Sequence, residues 1–248
     1  MTYWQPIAAG MADLMQGDRE LETERTLRPP VYGSILAGYM LQAIPRFSTP
    51  PEAAAKLQKF TPPAFTRLRH TITAAEAEAG SVTETGPAGA DSVCAGYTGE
   101  DEFGCPAFFP LGFEYDSAGG AITVTLSGES DAGAAFAAGN AAAEAGNAAP
   151  AAGTVLELYF YTDGAFDADL NITEKGILTY CVYLVWEHRF DNDAVQRALK
   201  ARDSSFSTAS EANHTSAGSE RLRDADARLN DMMRAYADRL EYERVMAE

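Results

Sequence analysis

The fold is decided by the stretch Thr154-Val155-Leu156-Glu157-Leu158-Tyr159-Phe160-Tyr161. Its apolar residues Leu156, Leu158 and Phe160 recur at every second position, which is the period of a β-strand with one face toward a core. The triplet Thr162-Asp163-Gly164 then predicts a turn. The alternation resumes from Phe166 to Ile172, and Glu174-Lys175-Gly176 predicts a second turn. The apolar run from Ile177 to Glu187 then predicts a long central strand. Residues 154–187 are therefore predicted to form an antiparallel meander.

A further strand is predicted on the N-terminal side of this meander. Ile122, Val124 and Leu126 alternate with polar residues, as expected for a half-buried strand. Between this strand and the meander lies the tract 130–153, which consists mostly of Ala, Gly and Asn. Alone, such a tract cannot bury enough apolar area to offset its ordering entropy. We therefore predict a long insertion in the sheet, and its conformation, helix or loop, stays open.

The first 80 residues contain sequence signals for the starts and ends of helices. Val31 to Ile44 is apolar nearly all round, which predicts a buried helix, with small notches at Gly33 and Ala37. Two later segments, beginning at Thr49 and at Thr61, open with Thr-Pro-Pro, a pattern typical of a helix start. The second predicted helix places Phe65, Leu68 and Ile72 on one stripe and ends at Gly80.

The C-terminal part is predicted to hold a short helix over 192–202, a polar linker over 204–218 and a last helix from about Ser219. One face of this last helix is apolar, and its length of roughly 30 residues corresponds to about 45 Å. A helix of that length exceeds what a compact domain of this size needs, so the apolar face is a candidate interface. Its residues are Leu222, Leu229, Met233, Tyr236 and Leu240.

Together these elements predict an α+β fold. We expect an N-terminal helical segment over 1–80, an antiparallel β core over 81–190 with the insertion 130–153, and C-terminal helices over 191–248. One domain with helical extensions is favoured over two domains.

The charge excludes one class of partner. The chain of 248 residues carries 36 acidic and 19 basic side chains, a net charge of -17. Nucleic-acid binding requires a basic face that releases counterions. The sequence offers only the short run Arg67, Arg69 and His70. We therefore expect no sequence-specific nucleic-acid binding, although an acidic surface permits the passive passage of DNA.

Three cysteines, Cys94, Cys105 and Cys181, are too few and of odd number for a disulfide-stapled secreted domain. The first residues lack the features of a signal peptide, and no apolar run reaches the roughly 20 residues that span a bilayer. We predict a protein made in the cytoplasm, with no membrane partner. Cys94 and Cys105 bracket an acidic loop, where free thiols are favoured over a disulfide.

Two further groups of residues resemble functional sites but lack necessary members. Asp167, Asp169 and Asn171 match the first half of a calcium loop, but the glycine position holds Ile172 and the final ligand position holds Leu178. His188 follows Glu187 and precedes two aspartates, a set from which a general base could be built. No nucleophile elbow, phosphate loop or paired metal-ligand motif accompanies it. The sequence predicts no cofactor and no metal.

The function favoured by these observations is a non-enzymatic structural subunit of a large homo-oligomeric assembly, with itself and other assembly subunits as partners. A virion protein of a tailed bacteriophage, such as a head-tail connector, neck or tail component, is the concrete form of this hypothesis. One alternative is a hydrolase or lyase that uses the carboxylates of Asp163 to Asp169 with His188. Another is a small-ligand or calcium-binding module centred on Glu100 to Glu102 and on Asp167 to Asn171.

Overall fold

The computed structural model describes residues 1–12, 15, 18–100, 103–126, 149–200 and 208–247, with the side chains of 8–9, 11–12, 190–200 and 208–219 outside that description. The helices are α1 (Trp4–Ala12), α2 (Arg19–Leu27), α3 (Pro29–Ala43), α4 (Pro51–Lys56), α5 (Ala74–Ala79), α6 (Ile172–Lys200) and α7 (Thr208–Ala247). The strands are β1 (Thr2–Tyr3), β2 (Phe60–Thr61), β3 (Ala64–Thr71), β4 (Ser81–Thr85), β5 (Ser92–Glu100), β6 (Pro106–Pro110), β7 (Phe113–Tyr115), β8 (Ala121–Thr125), β9 (Val155–Thr162) and β10 (Ala165–Phe166). These elements confirm the predicted α+β class and the long C-terminal helix.

The described strands form three sheets, and every pairing is antiparallel. One sheet has four strands in the order β3-β9-β5-β6. A second has the order β4-β8-β7, and a small third sheet has the order β1-β10-β2. The predicted strands at 122–126 and 154–161 are confirmed as β8 and β9, and β9 lies inside the four-stranded sheet.

The chain divides into two compact units that interleave along the sequence. One unit comprises 1–18, 36–62 and 164–248, and the other comprises 19–35 and 63–163. We call the first the helical unit and the second the sheet unit. The predicted segments 1–80, 81–190 and 191–248 therefore do not correspond one to one with these units.

The sheet unit encloses a core between its four-stranded and three-stranded sheets. The predicted inward residues of β9 are all buried there, and they pack with apolar residues of β4, β5 and β8. The full set of buried core residues is Ile72, Val82, Val93, Ala95, Ile122, Val124, Leu126, Leu156, Leu158 and Phe160. The opposite face of the same sheet receives the start of α3, where a Cβ atom on Gly33 would lie 3.0 Å from the Tyr161 ring. The predicted notch at Gly33 is thus filled by an aromatic side chain.

The helical unit is built around α6. Its middle turns carry apolar residues on nearly every side, and six of them are at most 7% exposed: Ile177, Leu178, Cys181, Val182, Leu184 and Val185. Helices α7 and α1 both pack against α6. An aromatic cluster of Trp4, Phe60 and Phe166, with centroids 5.4 to 6.1 Å apart, covers the small sheet.

The prediction of a long strand over 177–187 is wrong, because this run is the centre of α6. A short apolar run with no polar face has no period, so a buried helix and a buried strand look alike. The distinguishing signal lies upstream. Asn171 Oδ1 accepts from the Glu174 backbone N–H at 2.8 Å, and a Glu174 carboxylate oxygen accepts from the Asn171 N–H at 2.8 Å. This reciprocal capping starts a helix where the sequence was interpreted as a turn.

The helix predicted from Thr61 to Gly80 is half wrong. Residues Ala64–Thr71 form β3, whose side chains alternate in exposure, and only Ala74–Ala79 are helical. The capping box is at Thr73 and Glu76, twelve residues after the predicted start at Thr61. Gly80 does end the helix, in a left-handed conformation with φ of 71°. The three-and-four spacing of Phe65, Leu68 and Ile72 imitated a helical stripe.

Three further boundaries differ from the predictions. The strand expected over 166–172 is reduced to β10, and the short helix expected over 192–202 belongs to the end of α6 as far as Lys200. The expected linker is largely helical, because α7 begins at Thr208. Residues 127–148, which hold most of the predicted insertion 130–153, lie outside the described residues, so its conformation stays a prediction.

Candidate interaction surface

The centre of the predicted interface stripe is covered by the protein itself. Leu229, Met233 and Tyr236 are 4%, 6% and 5% exposed, because this part of α7 packs on α6. Leu222 and Leu240, at the ends of the stripe, are half-buried. The helical period of the sequence predicts the apolar face of α7. It does not reveal the helix that covers this face, because the sequence of α6 predicts a strand. A contact with a partner through Leu222 and Leu240 stays a prediction.

A partly buried polar cluster contacts α7 at Tyr236. The Glu174 carboxylate is 1% exposed and accepts hydrogen bonds from Lys56 Nζ at 2.6 Å and from the Tyr236 hydroxyl at 3.0 Å. The Asn171 side-chain amide donates to the Tyr236 oxygen at 2.7 Å. The bond to Glu174 raises the pKa of Lys56, so the ammonium form is favoured. These hydrogen bonds connect all four side chains, so the group anchors α7.

Beyond this anchor, the last turns of α7 expose apolar side chains. Tyr242, Val245 and Met246 are 65%, 64% and 68% exposed. Their spacing of three and four residues places them on one face of the helix. On the neighbouring faces, Arg244 pairs with Glu52 of α4, and Arg239 Nε lies 2.8 Å from a Glu243 oxygen. We call Tyr242, Val245 and Met246 the distal face of α7.

In the sheet unit, His70 lies between two carboxylates. Its Nε2 is 2.9 Å from Glu76 Oε2, and its Nδ1 is 2.6 Å from Glu84 Oε1. These contacts, first with Glu76 and then with Glu84, raise the pKa of His70. In turn, His70 and the capping bonds of Thr73 lower the pKa of Glu76 to about 2. The triad joins β3, α5 and β4 through ion pairs.

The outer face of the four-stranded sheet carries a second charged group. Arg67 pairs with Glu157, and Arg69 lies 3.4 Å from the same Glu157 oxygen. Burial opposes the charged form of Glu157, but hydrogen bonds from Tyr159 and Arg67 hold its pKa below the usual value. The Arg67 guanidinium also lies 5.5 Å from the centre of the Tyr159 ring. Two arginines thus share one carboxylate on this face.

The cysteines occupy different environments. Cys94, on β5, is buried and its Sγ lies 3.6 Å from the Leu27 carbonyl oxygen, while Cys105 is exposed. Neither is part of a disulfide, as the favoured interpretation of the sequence held. Burial raises the pKa of the Cys94 thiol to about 12, so it is a poor nucleophile.

The residues that match the first half of a calcium loop make other contacts. Asp169 pairs with the N-terminal ammonium of Met1, and Asn171 caps α6. In the part of the chain that the structure describes, no group of three or more His, Cys, Asp or Glu could hold a metal ion. Of the other candidate acidic segment, Glu100 ends β5, while 101–102 lie outside the described residues.

The residues of the predicted hydrolase site are placed as follows. Asp163, in the sheet unit, accepts from the Tyr161 hydroxyl at 3.2 Å, and its backbone N–H donates to Asp91 at 2.7 Å. Asp167 is exposed and donates its backbone N–H to the Lys59 carbonyl at 3.1 Å. His188 lies half-buried on α6. Asp167 and His188 therefore belong to the helical unit, and Asp163 belongs to the sheet unit.

Comparison with known proteins gives no assignment, because no family model, curated protein or solved structure matches this chain. Among the described helices, none is both long and apolar enough to cross a membrane.

Proposed function

We propose that this protein is a structural subunit of a large homo-oligomeric assembly, and most concretely a virion protein of a tailed bacteriophage. A head-tail connector, a neck component or a tail component would fit. The observation that carries the proposal is the distal face of α7, where Tyr242, Val245 and Met246 are each about two thirds exposed, at 64% to 68%.

The exposure of this face is informative because the same helix buries its other apolar residues. Leu229, Met233 and Tyr236 are at most 6% exposed. A continuous helix therefore has one apolar section that is covered within the chain and one that is not. Grouped exposed apolar side chains on a helix are typical of a surface that packs on another molecule.

The net charge supports the virion form of the proposal. A charge of -17 gives a surface that repels phosphate backbones. Subunits that surround a channel for DNA need such a surface, because an adhesive lumen would retain the nucleic acid. A ring or tube of this protein would let DNA pass without binding it.

Native mass spectrometry from low micromolar to near-millimolar protein tests the assembly. We expect a defined multimer of the chain, with rings or tubes visible by negative-stain electron microscopy. The triple variant Tyr242→Ser, Val245→Ser, Met246→Ser should shift the population toward monomer while its circular dichroism stays unchanged. The matched control, Glu241→Ser, changes an exposed polar residue of the same turns and should assemble normally.

A wild-type protein that stays monomeric over this range, alone and with the products of neighbouring genes, would overturn the proposal. So would a triple variant that assembles as well as the wild type, because the distal face would then be irrelevant to assembly.

A further inference from the structure

The outer edge of β3 is open to pairing. Strand β3 pairs with β9 on one side and with no second strand among the described residues. Ile72, directly after β3, donates its N–H to the Thr154 carbonyl at 3.0 Å. Hydrogen-bonded residues recur at every second position of an antiparallel ladder, so the even-numbered residues of β3 face β9. Phe65, Arg67, Arg69 and Thr71 therefore turn their N–H and C=O groups outward.

The other edge of the same sheet is protected by its sequence. Leu111, directly after β6, donates its N–H to the Ala95 carbonyl at 2.9 Å, so residues 107 and 109 face β5. The outward positions of β6 are then Pro106, Phe108 and Pro110. Two of these three are prolines, which have no N–H to offer to an added strand. Strand β3 contains no proline, so among the described strands only the β6 edge of this sheet is blocked by proline.

The open edge is also accessible. All four outward residues of β3 are exposed, and Phe65 retains 42% of its surface. The side chains of Arg67 and Arg69 are 41% and 61% exposed. An eight-residue strand with exposed side chains, whose outward backbone groups pair with no other described strand, is long enough to template a partner strand.

The charges on this edge select the partner. Arg67 and Arg69 share the single carboxylate of Glu157, so one positive charge on this face is not balanced within the group. Pairing with β3 of a second copy would bring the arginines of both copies together, and like charges across a ladder are unfavourable. A strand with carboxylates at alternate positions would instead oppose Arg67 and Arg69 with acidic side chains.

We propose that the free edge of β3 binds an extended acidic segment of a partner protein by strand addition. Backbone hydrogen bonds at Phe65, Arg67, Arg69 and Thr71 supply the pairing. Arg69 and Arg67 recognise carboxylates on the sheet's outer face, and the Phe65 ring packs beside them. This site is separate from the distal face of α7, and the inference does not rest on the proposed assembly.

The test uses an acetylated and amidated eight-residue peptide in which glutamate alternates with threonine and valine. Its binding to the full chain is measured by isothermal titration calorimetry. A peptide with lysine at the glutamate positions should bind at least about tenfold more weakly. A glutamate peptide that is N-methylated at alternate amides should lose binding as well, because the backbone pairing is blocked.

Two variants locate the site. Arg69→Glu should weaken binding of the glutamate peptide by about tenfold or more, whereas Arg234→Glu, an equal charge change on α7, should leave it unchanged. Arg69→Pro removes an outward N–H and leaves the β3–β9 ladder intact, and it should abolish binding. Melting curves of each variant verify that the fold is retained. If Arg69→Pro unfolds the chain, the N-methylated peptide supplies the backbone test.

Equal binding of the acidic and lysine peptides, or no binding of either, would overturn the inference. So would binding that persists in Arg69→Glu. A change of oligomeric mass in Arg69→Pro without a change in peptide affinity would show that a second copy occupies the edge. Failure of assembly through α7 would leave these peptide results unaffected, so the two proposals can fail separately.

Discussion

His70 is a residue whose protonation is tied to the fold, because both of its ring nitrogens face carboxylates. Only the imidazolium form can donate to Glu76 and Glu84 at once. The raised pKa of His70 means that its stabilising contribution is complete below about 6.5, the ordinary value, and is lost as pH rises through the folded pKa. The lowered pKa of Glu76 acts in the opposite sense, since its contribution is lost as pH falls toward about 2.

We therefore predict that replacing His70 by Gln destabilises the protein most in mildly acidic solution. The difference in unfolding free energy between wild type and His70→Gln should be largest just below pH 6.5 and should shrink as pH rises above the folded pKa. Urea denaturation at a series of pH values measures this difference. The double variant Glu76→Gln, Glu84→Gln should likewise lose the part of the pH dependence of the unfolding free energy that comes from His70. A difference that grows with pH would contradict the prediction.

At the residue scale, the sequence contains a helix-start signal for α6 that hydrophobic periodicity does not detect. Asn171 and Glu174 stand three residues apart, as a capping box requires, and would have placed the start of α6. Gly176, two residues after Glu174, favours the prediction of a turn instead. The link from Glu174 to Lys56 and Tyr236 joins residues more than sixty positions apart, so no local pattern could have predicted it.

At the element scale, α7 separates into a buried section and an exposed end, and the two should respond differently to truncation. Met233→Ala removes a side chain that is 6% exposed and should lower the unfolding free energy by about 2 to 5 kcal/mol. Val245→Ala, on the distal face, should change it by no more than about 0.5 kcal/mol in the monomer. Urea denaturation at low protein concentration compares the two variants, and equal losses would contradict this division of the helix.

Strands and helices were predictable to different degrees for a physical reason. In strand β9 the aliphatic and aromatic core residues alternate strictly with Glu157, Tyr159 and Tyr161 on the other face. The two-residue period of a strand can therefore be recognised in the sequence. Strand β3 is an edge strand whose inner face holds Thr66, Leu68 and His70, and this mixed composition weakens the signal. Helix α6 is buried on nearly all sides, which removes the amphipathic period. The errors therefore fall where apolar and polar residues do not alternate clearly, in a helix that is apolar on nearly all sides and in an edge strand of mixed composition.

At the scale of the whole molecule, charge dominates. With a net charge of -17, the protein should not retard duplex DNA in a gel-shift assay at low salt and micromolar concentration. The Arg67 and Arg69 group does not alter this expectation, because Glu157 offsets half of its charge. A retarded complex that dissolves as salt is added would contradict the prediction and would indicate a local basic surface.

The candidate surface was only partly visible before the structure. The apolar stripe of α7 could be predicted from its helical period, but periodicity cannot distinguish a face that meets a partner from one that meets the same chain. That distinction depends on where α6 lies. The open edge of β3 was not predicted at all, because Phe65, Leu68 and Ile72 were assigned to a helix. Sheet order and hydrogen-bond direction are long-range properties, and only the fold reveals them.

The polar cluster at Tyr236 has a mechanical consequence for the tip of α7. The helix runs without interruption from Tyr236 to Met246, a rise of about 15 Å, so it acts as a stiff lever with its fulcrum at Glu174. A small rotation at the fulcrum would swing the tip sideways by a larger amount. If the proposed assembly forms through the distal face, the direction of that face would depend on the buried Glu174 carboxylate and on the exposed Arg244–Glu52 pair nearer the tip.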